Sequence, residues 1–322
     1  MAKLKYQKIR EERLNLDYTQ KDLSEITGIN INTLKSIETG RIISEENIKK
    51  ICNALNLNIS EIYFPYFRDT TILSIVNNKG GCGKTSICSS LGYVLAELGY
   101  KVLLIDSDGQ RNLTSCFDME KSDKHFGRAL INEDDLSSYI VKTKYENINF
   151  VIADASMSTL DMVLFTKVHR ENVARQILKP LKEKGIYDFI LIDTNPNLSL
   201  LNYNIVNASD RCIIPVQPAG FDVDGITTVI DFIEGIKKFN YDLDILGIVL
   251  NRYDARNKII SEAAMSEIKN SYSKLLFDTV INVDVKIQNA QWENRLVFEY
   301  SSTRIAKEYR AFAKEVVKKC QN

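Results

Sequence analysis

No apolar run in this 322-residue chain approaches the roughly 18 residues needed to cross a membrane. The opening stretch, MAKLKYQKIREERL, lacks the apolar core of a secretory signal. Paired cysteines are missing as well. Cys52, Cys82, Cys88, Cys116, Cys212 and Cys320 are scattered, with no CxxC pair, which argues against a disulfide framework or a zinc site and for reduced thiols. Neither sign of charge is in excess: 42 basic residues stand against 42 acidic ones. A globally basic nucleic-acid binder is thereby excluded, while local basic surfaces are not. These absences lead us to expect a cytoplasmic protein. What is present is apolar material for a packed core, 44% of the chain, and a length that suits two domains.

Proline and glycine are sparse in the first 65 residues, where only Gly28, Gly40 and Pro65 occur. Apolar residues recur there at helical spacing: Leu4, Ile9 and Leu14; Leu23 and Ile26; Ile31, Leu34 and Ile37; Ile48, Ile51 and Leu55. Thr19 is placed to cap a helix that begins at Gln20, and Gly28 falls where that helix must stop and turn. Asn30 caps a second short helix running through Glu38. Two short helices joined by a tight turn containing glycine form the helix-turn-helix pattern.

The string YTQKDLSEITGININTLKSIETGR, followed by IKKICNALNLNISEIYF, resembles the Cro/phage-repressor class of that motif in unbroken register. The resemblance covers nearly all of residues 4–64. It implies that the second helix enters the major groove and meets base edges with its first turns. With Leu34 and Ile37 turned to the core, Asn32, Thr33, Lys35 and Ser36 face outward and Asn30 stands at the tip. Gln20 completes this set of candidate DNA contacts. Asn suits adenine, whereas Lys and Ser suit guanine or phosphate. A polar helix face in a small protein-binding bundle would look alike, and charge does not separate the two readings.

Thr71 to Val76 is a short apolar run, followed at once by Asn77-Asn78-Lys79-Gly80-Gly81-Cys82-Gly83-Lys84-Thr85-Ser86 and then by the helical ICSSLGYVLAELG. Strand, glycine-rich loop and helix are the context of a phosphate-binding loop. Glycines let backbone N–H groups converge on phosphate oxygens, and the helix N-terminus adds partial positive charge. Lys84 is a point charge for the terminal phosphates, and the Thr85 hydroxyl is a magnesium ligand. The strict GxxxxGK[ST] pattern fails at Asn78, and a lysine appears at Lys79 instead, giving KGGxGKT.

That altered loop resembles the one of the ParA/MinD family, and the likeness continues. KVLLIDSDGQRNLT (101–114) is similar to the family's second motif and YDFILIDTNPNLSLLNYNIVNASD (187–210) to its third. IIPVQPAGFDVDGI, GIVLNRYDARN and VDVKIQNA follow in family order. Three runs (101–105, 188–192 and 212–216) read as buried parallel strands, and two of them end in aspartate, where nucleotide sites form. We therefore expect an α/β, doubly wound, mostly parallel sheet in a P-loop ATPase domain over 71–322. A small all-α helix-turn-helix domain over 1–65 precedes it, joined by a short junction over 66–70. The aromatic character of IYFPYFRDTT (62–71) suits a packed connection better than a flexible tether.

The resemblance implies ATP and Mg2+ as cofactors and an ATP-bound homodimer. Lys79 would reach across to phosphates held by the partner. Asp106 and Asp193 would hold magnesium, Asp108 would orient the attacking water, and Asn251 would read adenine. Lys79, Lys84, Asp108 and Asp193 are thus the catalytic candidates, and the loop from Lys79 through Ser86 binds the nucleotide. The resemblance also implies DNA partition with a ParB-type centromere-binding partner, nucleoid association, and nonspecific DNA contacts at Arg256 and Lys286. The N-terminal motif would repress the protein's own operon by binding its operator. Gly109 departs from the family's usual proline, and Thr194-Asn195-Pro196 from its commoner Cys/Ala-Pro-Pro run.

Two competing readings remain. A MinD-like protein would bind membrane through a basic amphipathic helix, but the stripe Ile305, Tyr309, Phe312 and Val316 is expected to pack in the core. A nucleotide-regulated repressor without a partition role is the other. An iron-sulfur relative would need paired cluster cysteines, and Cys116 and Cys212 lack that spacing.

Overall fold

The computed structural model describes residues 3–41, 44–64, 69–218, 223–300 and 303–321. Residues 65–68, which hold most of the aromatic junction expected to pack, lie outside the described residues, as do residues 219–222 of the IIPVQPAGFDVDGI motif. The chain divides into two units, one formed mainly by Met1–Asp69 and the other by Thr70–Glu183 with Tyr187–Asn322.

The N-terminal unit is helical: α1 (Tyr6–Asn15), α2 (Gln20–Thr27), α3 (Ile31–Ile37), α4 (Glu45–Ala54) and α5 (Ile59–Ile62). A two-residue strand β1 (Lys3–Leu4) pairs antiparallel with β2 (Tyr63–Phe64). The helix boundaries follow from local chemistry. Thr19 Oγ1 accepts from the Asp22 N–H at 3.1 Å while the Asp22 carboxylate accepts from the Thr19 N–H at 2.8 Å, which closes a capping box on α2. Gly28 ends that helix in the left-handed region at φ 69°. Asn30 Oδ1 accepts from the Asn32 N–H at 2.9 Å and opens α3. Ile9, Leu23, Leu34, Ile37, Ile48 and Ile51 are fully buried together.

Two residues expected in that apolar pattern face solvent instead: Leu14 is 54% exposed and Ile26 53%. The inward face of α1 passes through Ile9 and, four residues on, Arg13; Leu14 comes one residue later and is turned about 100° away. Ile26 falls one residue short of the full turn that joins Leu23 to Thr27.

Arg13 occupies the inward place because Glu38 awaits it at the end of α3. Arg13 Nε and Nη2 donate to the two Glu38 oxygens at 2.6 and 3.1 Å, and Nη1 donates to the Tyr18 carbonyl at 2.7 Å. Gln20 Nε2 adds a further bond to Glu38 at 2.7 Å. The two charged side chains are only 7% and 3% exposed. Burial pushes the Glu38 carboxyl up, but the bonds from Arg13 and Gln20 outweigh it and hold the group below the usual glutamate range.

In the second unit, β3 (Thr71–Ile75), β4 (Val102–Asp106), β5 (Val141–Lys142), β6 (Ile148–Val151), β7 (Phe189–Asp193), β8 (Arg211–Val216), β9 (Asp244–Tyr253) and β10 (Leu276–Asn282) form one sheet. Its order is β10-β9-β8-β3-β7-β4-β6-β5. Every pair is parallel except β5 with β6. The expected strands stand as β4, β7 and β8 around the central β3, and all residues of β4 and β7 are buried. Alternate residues feed opposite faces. Leu104 and Leu191 join a core with α6 (Lys84–Glu97) and the Arg304–Gln321 helix, whereas Leu103, Ile105, Ile190 and Ile192 join one with the Val173–Lys184 and Leu200–Ala208 helices. This is the doubly wound α/β architecture. Ile305, Tyr309, Phe312 and Val316 are fully buried in the first of these cores. Among the described residues no helix is long and apolar enough to cross a membrane.

Removing either partner of the buried ion pair strands the other charge, so Arg13→Ala should destabilise the N-terminal unit by about 3 kcal/mol. Hydrogen exchange of α1–α4 amides in the full chain reads this locally. Because the folded Glu38 carboxyl lies below its ordinary value near 4.5, its contribution is complete above that pH and is lost as the pH falls through the lowered value. Protection in these helices should therefore drop on acidification, and Glu38→Gln should flatten the drop.

Candidate functional site

The chain leaves β3 between β7 on one side and β8 on the other, so a crevice opens at the carboxyl ends of these strands, where α/β sheets bind ligands. The loop after β3 is pinned by its first asparagine. Asn77 Nδ2 donates to the Pro215 carbonyl of β8 at 2.7 Å, and its Oδ1 accepts from the Lys79 N–H at 2.8 Å. Gly81 and Gly83 take φ values of 76° and 92°, in the left-handed region. At Gly83 a Cβ would also lie 2.0 Å from Asn251 Nδ2, which donates to the Cys82 carbonyl at 2.8 Å. Glycine is thus required there twice, by backbone conformation and by the approach of β9.

Lys84 begins α6, is buried, and donates from Nζ to the Lys79 carbonyl at 3.2 Å across the loop. Thr85 Oγ1 donates to Asp193 Oδ2 at 2.7 Å. Asp193 ends β7 directly abreast of Asp106, which ends β4. Asp106 Oδ2 accepts from the Thr114 N–H and hydroxyl at 2.8 and 2.6 Å, and its Oδ1 accepts from the Asp108 N–H at 3.0 Å. Burial pushes Asp106 up to about 6 against the pull of the Thr114 and Asp108 bonds. Burial, and after it the charge of Asp106, also raise Asp193 well above the carboxylate range, although Thr85 and Lys84 pull the other way.

Asp193 Oδ1 is buried with no hydrogen-bond partner among the described residues. Two adjacent buried carboxylates, one with an orphaned oxygen and both shifted toward protonation, form a donor set that fits a cation. Magnesium is ordinarily held by one or two carboxylates together with phosphate oxygens and water, so this sparse set suits it. Asp108 lies half-buried two residues beyond, its Oδ1 accepting from the Gln110 N–H at 2.9 Å.

A cavity of about 540 Å³ opens over these groups, within the range of small-molecule sites. Of the residues expected to meet nucleotide, Gly80, Gly81, Gly83, Lys84, Thr85, Ser86, Asp108 and Asn251 line it. Asp106, Asp193 and Cys82 are buried and do not line it, and Lys79 is exposed on the loop. Asn251 Oδ1, buried and without a partner among the described residues, is an open acceptor that suits an amino group of a base.

Other contributors carried weaker sequence signals or none. Arg252, beside Asn251, donates from Nη1 to the Gly81 carbonyl at 3.1 Å. Thr114 closes the second motif and holds Asp106. Gln291 donates from Nε2 to Ser86 Oγ at 3.0 Å across 205 residues, which no local pattern announces. Gly109, which departs from the usual proline, is packed so that a Cβ would sit 2.5 Å from Ser158 Oγ.

The candidate DNA contacts separate by what already holds them. On α3, Asn32 and Lys35 are exposed and Thr33 and Ser36 partly so, while Leu34 and Ile37 are buried. Ser36 Oγ donates back to the Asn32 carbonyl at 2.9 Å, Asn30 Oδ1 is spent on its cap, and Gln20 is bound to Glu38. The Arg256 fork lies on Asp254 at 2.8 and 2.9 Å. Lys286 is exposed in the first turn of the Val285–Trp292 helix and makes no ion pair among the described residues.

The family model for an AAA domain matches residues 70–245, and that for a helix-turn-helix matches residues 9–62. The sporulation initiation inhibitor protein Soj of Bacillus subtilis is 32% identical over 249 residues, covering 76% of this chain and 97% of Soj. The chromosome partitioning protein ParA of Caulobacter vibrioides is 30% identical over 250 residues, covering 76% and 93%. Among solved structures, the septum site-determining protein MinD of Pyrococcus horikoshii, complexed with Mg-ADP, superposes with a TM-score of 0.62 at 27% identity over 77% of this chain and 96% of that one.

Gly83→Ala should displace both the loop and Asn251. Nucleotide affinity is expected to fall by about 100-fold or more, since a non-glycine residue at this φ adds strain to the clash. Calorimetric titration, with circular dichroism to show that the sheet persists, decides it; near-normal affinity would mean that the loop tolerates a side chain.

Proposed function

The chain belongs to the ParA/MinD family of P-loop ATPases, and from that premise we propose that it is a DNA-partition ATPase that hydrolyses MgATP and reads its own operator through the N-terminal unit. The observation that carries this reading is the convergence of the KGGxGKT loop, Asp106, Asp108 and Asp193 at the carboxyl ends of the neighbouring strands β3, β7 and β4, in a chain that also holds a helix-turn-helix.

Chemically, phosphoryl transfer asks a protein mainly for positioning and charge neutralisation. The N–H groups of residues 80–86 and the α6 N-terminus receive phosphate oxygens, and Lys84 adds a positive charge at the same place. Thr85, Asp106 and Asp193 would hold magnesium, which supplies further neutralisation of phosphate charge when bound. Asp108 orients the attacking water, and Asn251 accepts from the adenine amino group. Lys79, on the exposed part of the loop, reaches the phosphates of a second copy, making the ATP-bound form a dimer.

Arg256 and Lys286 give the ATPase unit contacts to DNA phosphates that carry no sequence preference. The α3 helix supplies sequence-specific contacts through Asn32, Thr33 and Lys35. A ParB-type centromere-binding protein stimulates turnover, and the ATP form resides on the nucleoid.

Lys84→Ala is expected to abolish MgATP binding, and Asp108→Ala to bind and dimerise while turning over at least about 100-fold more slowly. Calorimetry, sedimentation and phosphate release separate the two. Wild-type turnover in Asp108→Ala would move the water-orienting role elsewhere, and retained binding in Lys84→Ala would remove the phosphate-loop reading.

A further inference from the structure

The only tryptophan in the chain, Trp292, is 90% exposed at the end of the Val285–Trp292 helix. Val285, two helical turns earlier and hence on nearly the same face, is also exposed, at 62%. Single exposed apolar residues are common and mean little by themselves. Here the surroundings are specific. Lys286 stands beside Val285 with no ion pair among the described residues, and Gln288 and Asn289 present exposed amides between the two apolar residues. Arg295 follows just beyond, exposed and paired with Glu293 at 3.2 Å.

The opposite flank of the same helix is committed inward. Ala290 is buried, Ile287 packs against the main core, and Gln291 is bonded to Ser86 in the first turn of α6. Ile287 and Gln291 also line the 540 Å³ cavity, and Gln288, exposed at the boundary of the two flanks, reaches it as well. One short helix thus touches the nucleotide cavity on one side and presents an indole, amides and a cation on the other.

An interfacial membrane helix needs a continuous apolar face, and eight residues with two exposed apolar side chains separated by amides do not provide one. Cations hold phosphates, amides bond to backbone or base edges, and an aromatic or apolar wedge stacks on bases or enters a base step. That combination matches nucleic acid. We propose that Trp292 is a base-stacking contact of the ATPase unit's DNA surface, lodged against bases while Lys286 holds a backbone phosphate. The inference rests on the reading of Lys286 as a phosphate contact and adds to it the group that engages the bases.

Because Trp292 is the one tryptophan of these 322 residues, indole emission of this chain reports on that position alone. The protein with a non-hydrolysed ATP analogue is titrated with labelled duplex of random sequence, following label anisotropy and indole emission together. Emission should be quenched as anisotropy rises. Trp292→Ala should weaken binding about five-fold or more, with Trp292→Phe retaining most of the affinity. Lys286→Ala should lower the slope of log affinity against log salt by about 1. DNA binding with unmoved emission, together with unchanged affinity in Trp292→Ala, overturns the stacking contact and leaves the Lys286 reading standing. Unchanged affinity and salt slope in Lys286→Ala remove that reading instead. A blue shift with phosphatidylglycerol vesicles but no response to DNA assigns the face to a membrane, and one that grows with protein concentration alone assigns it to self-association. Either of these also overturns the proposal.

Discussion

Asp106 and Asp193 end neighbouring parallel strands in direct register, both fully buried, and neither carboxylate makes an ion pair among the described residues. Taking such charges out of water costs several kcal/mol each, and their mutual repulsion adds to it. Much of the surrounding structure offsets this arrangement. Thr114 gives its N–H and its hydroxyl to Asp106, the Asp108 N–H reaches the other oxygen, and Thr85 bonds to Asp193. One oxygen of Asp193 still has no partner among the described residues. The unbalanced negative charge suits the place to a cation, while the loop N–H groups and Lys84 are the groups that suit phosphate oxygens. The strand order that sets β3 beside β7 suspends the glycine-rich loop over it.

The loop itself is shaped from one side of β3, by β8 and β9. Asn77 ties its start to β8, and Asn251 of β9 ties its middle through the Cys82 carbonyl. Arg252 adds a bond to Gly81 from a backbone in the left-handed region. These contacts fix the backbone of the loop whose N–H groups would meet phosphate, so less ordering is left for binding to impose.

The N-terminal unit solves a different problem. It is small, and a buried Arg13–Glu38 pair stands where an apolar contact would otherwise fill the space between α1 and α3. A pair of this kind adds orientation more than net stability, because the fork of Arg13 fits Glu38 in a single geometry. Leu34 and Ile37 are buried on the same helix, and Asn32, Thr33 and Lys35 are left on its outward side. The two residues proposed as DNA contacts of the ATPase unit differ in kind. Arg256 must leave Asp254 to meet a phosphate, whereas Lys286 already stands in solvent.

Local sequence was enough for those features whose physics is local. Thr19, Gly28 and Asn30 mark helix ends by capping and by left-handed backbone. The apolar runs of β4 and β7 announce strands buried on both faces, and the glycines before Lys84 announce a loop that approaches phosphate. The pattern erred where a polar side chain took an inward place: periodicity alone sets Leu14 in the core, and Arg13 goes there because Glu38, 25 residues away, pairs with it. Only the tertiary structure decided that Asn251 would sit where a Cβ of Gly83 cannot, that Gln291 would meet Ser86, and that Arg256 would be occupied while Lys286 is not. These are meetings of residues far apart in the chain. They depend on strand order and on distances of a few ångströms, which composition and periodicity do not encode.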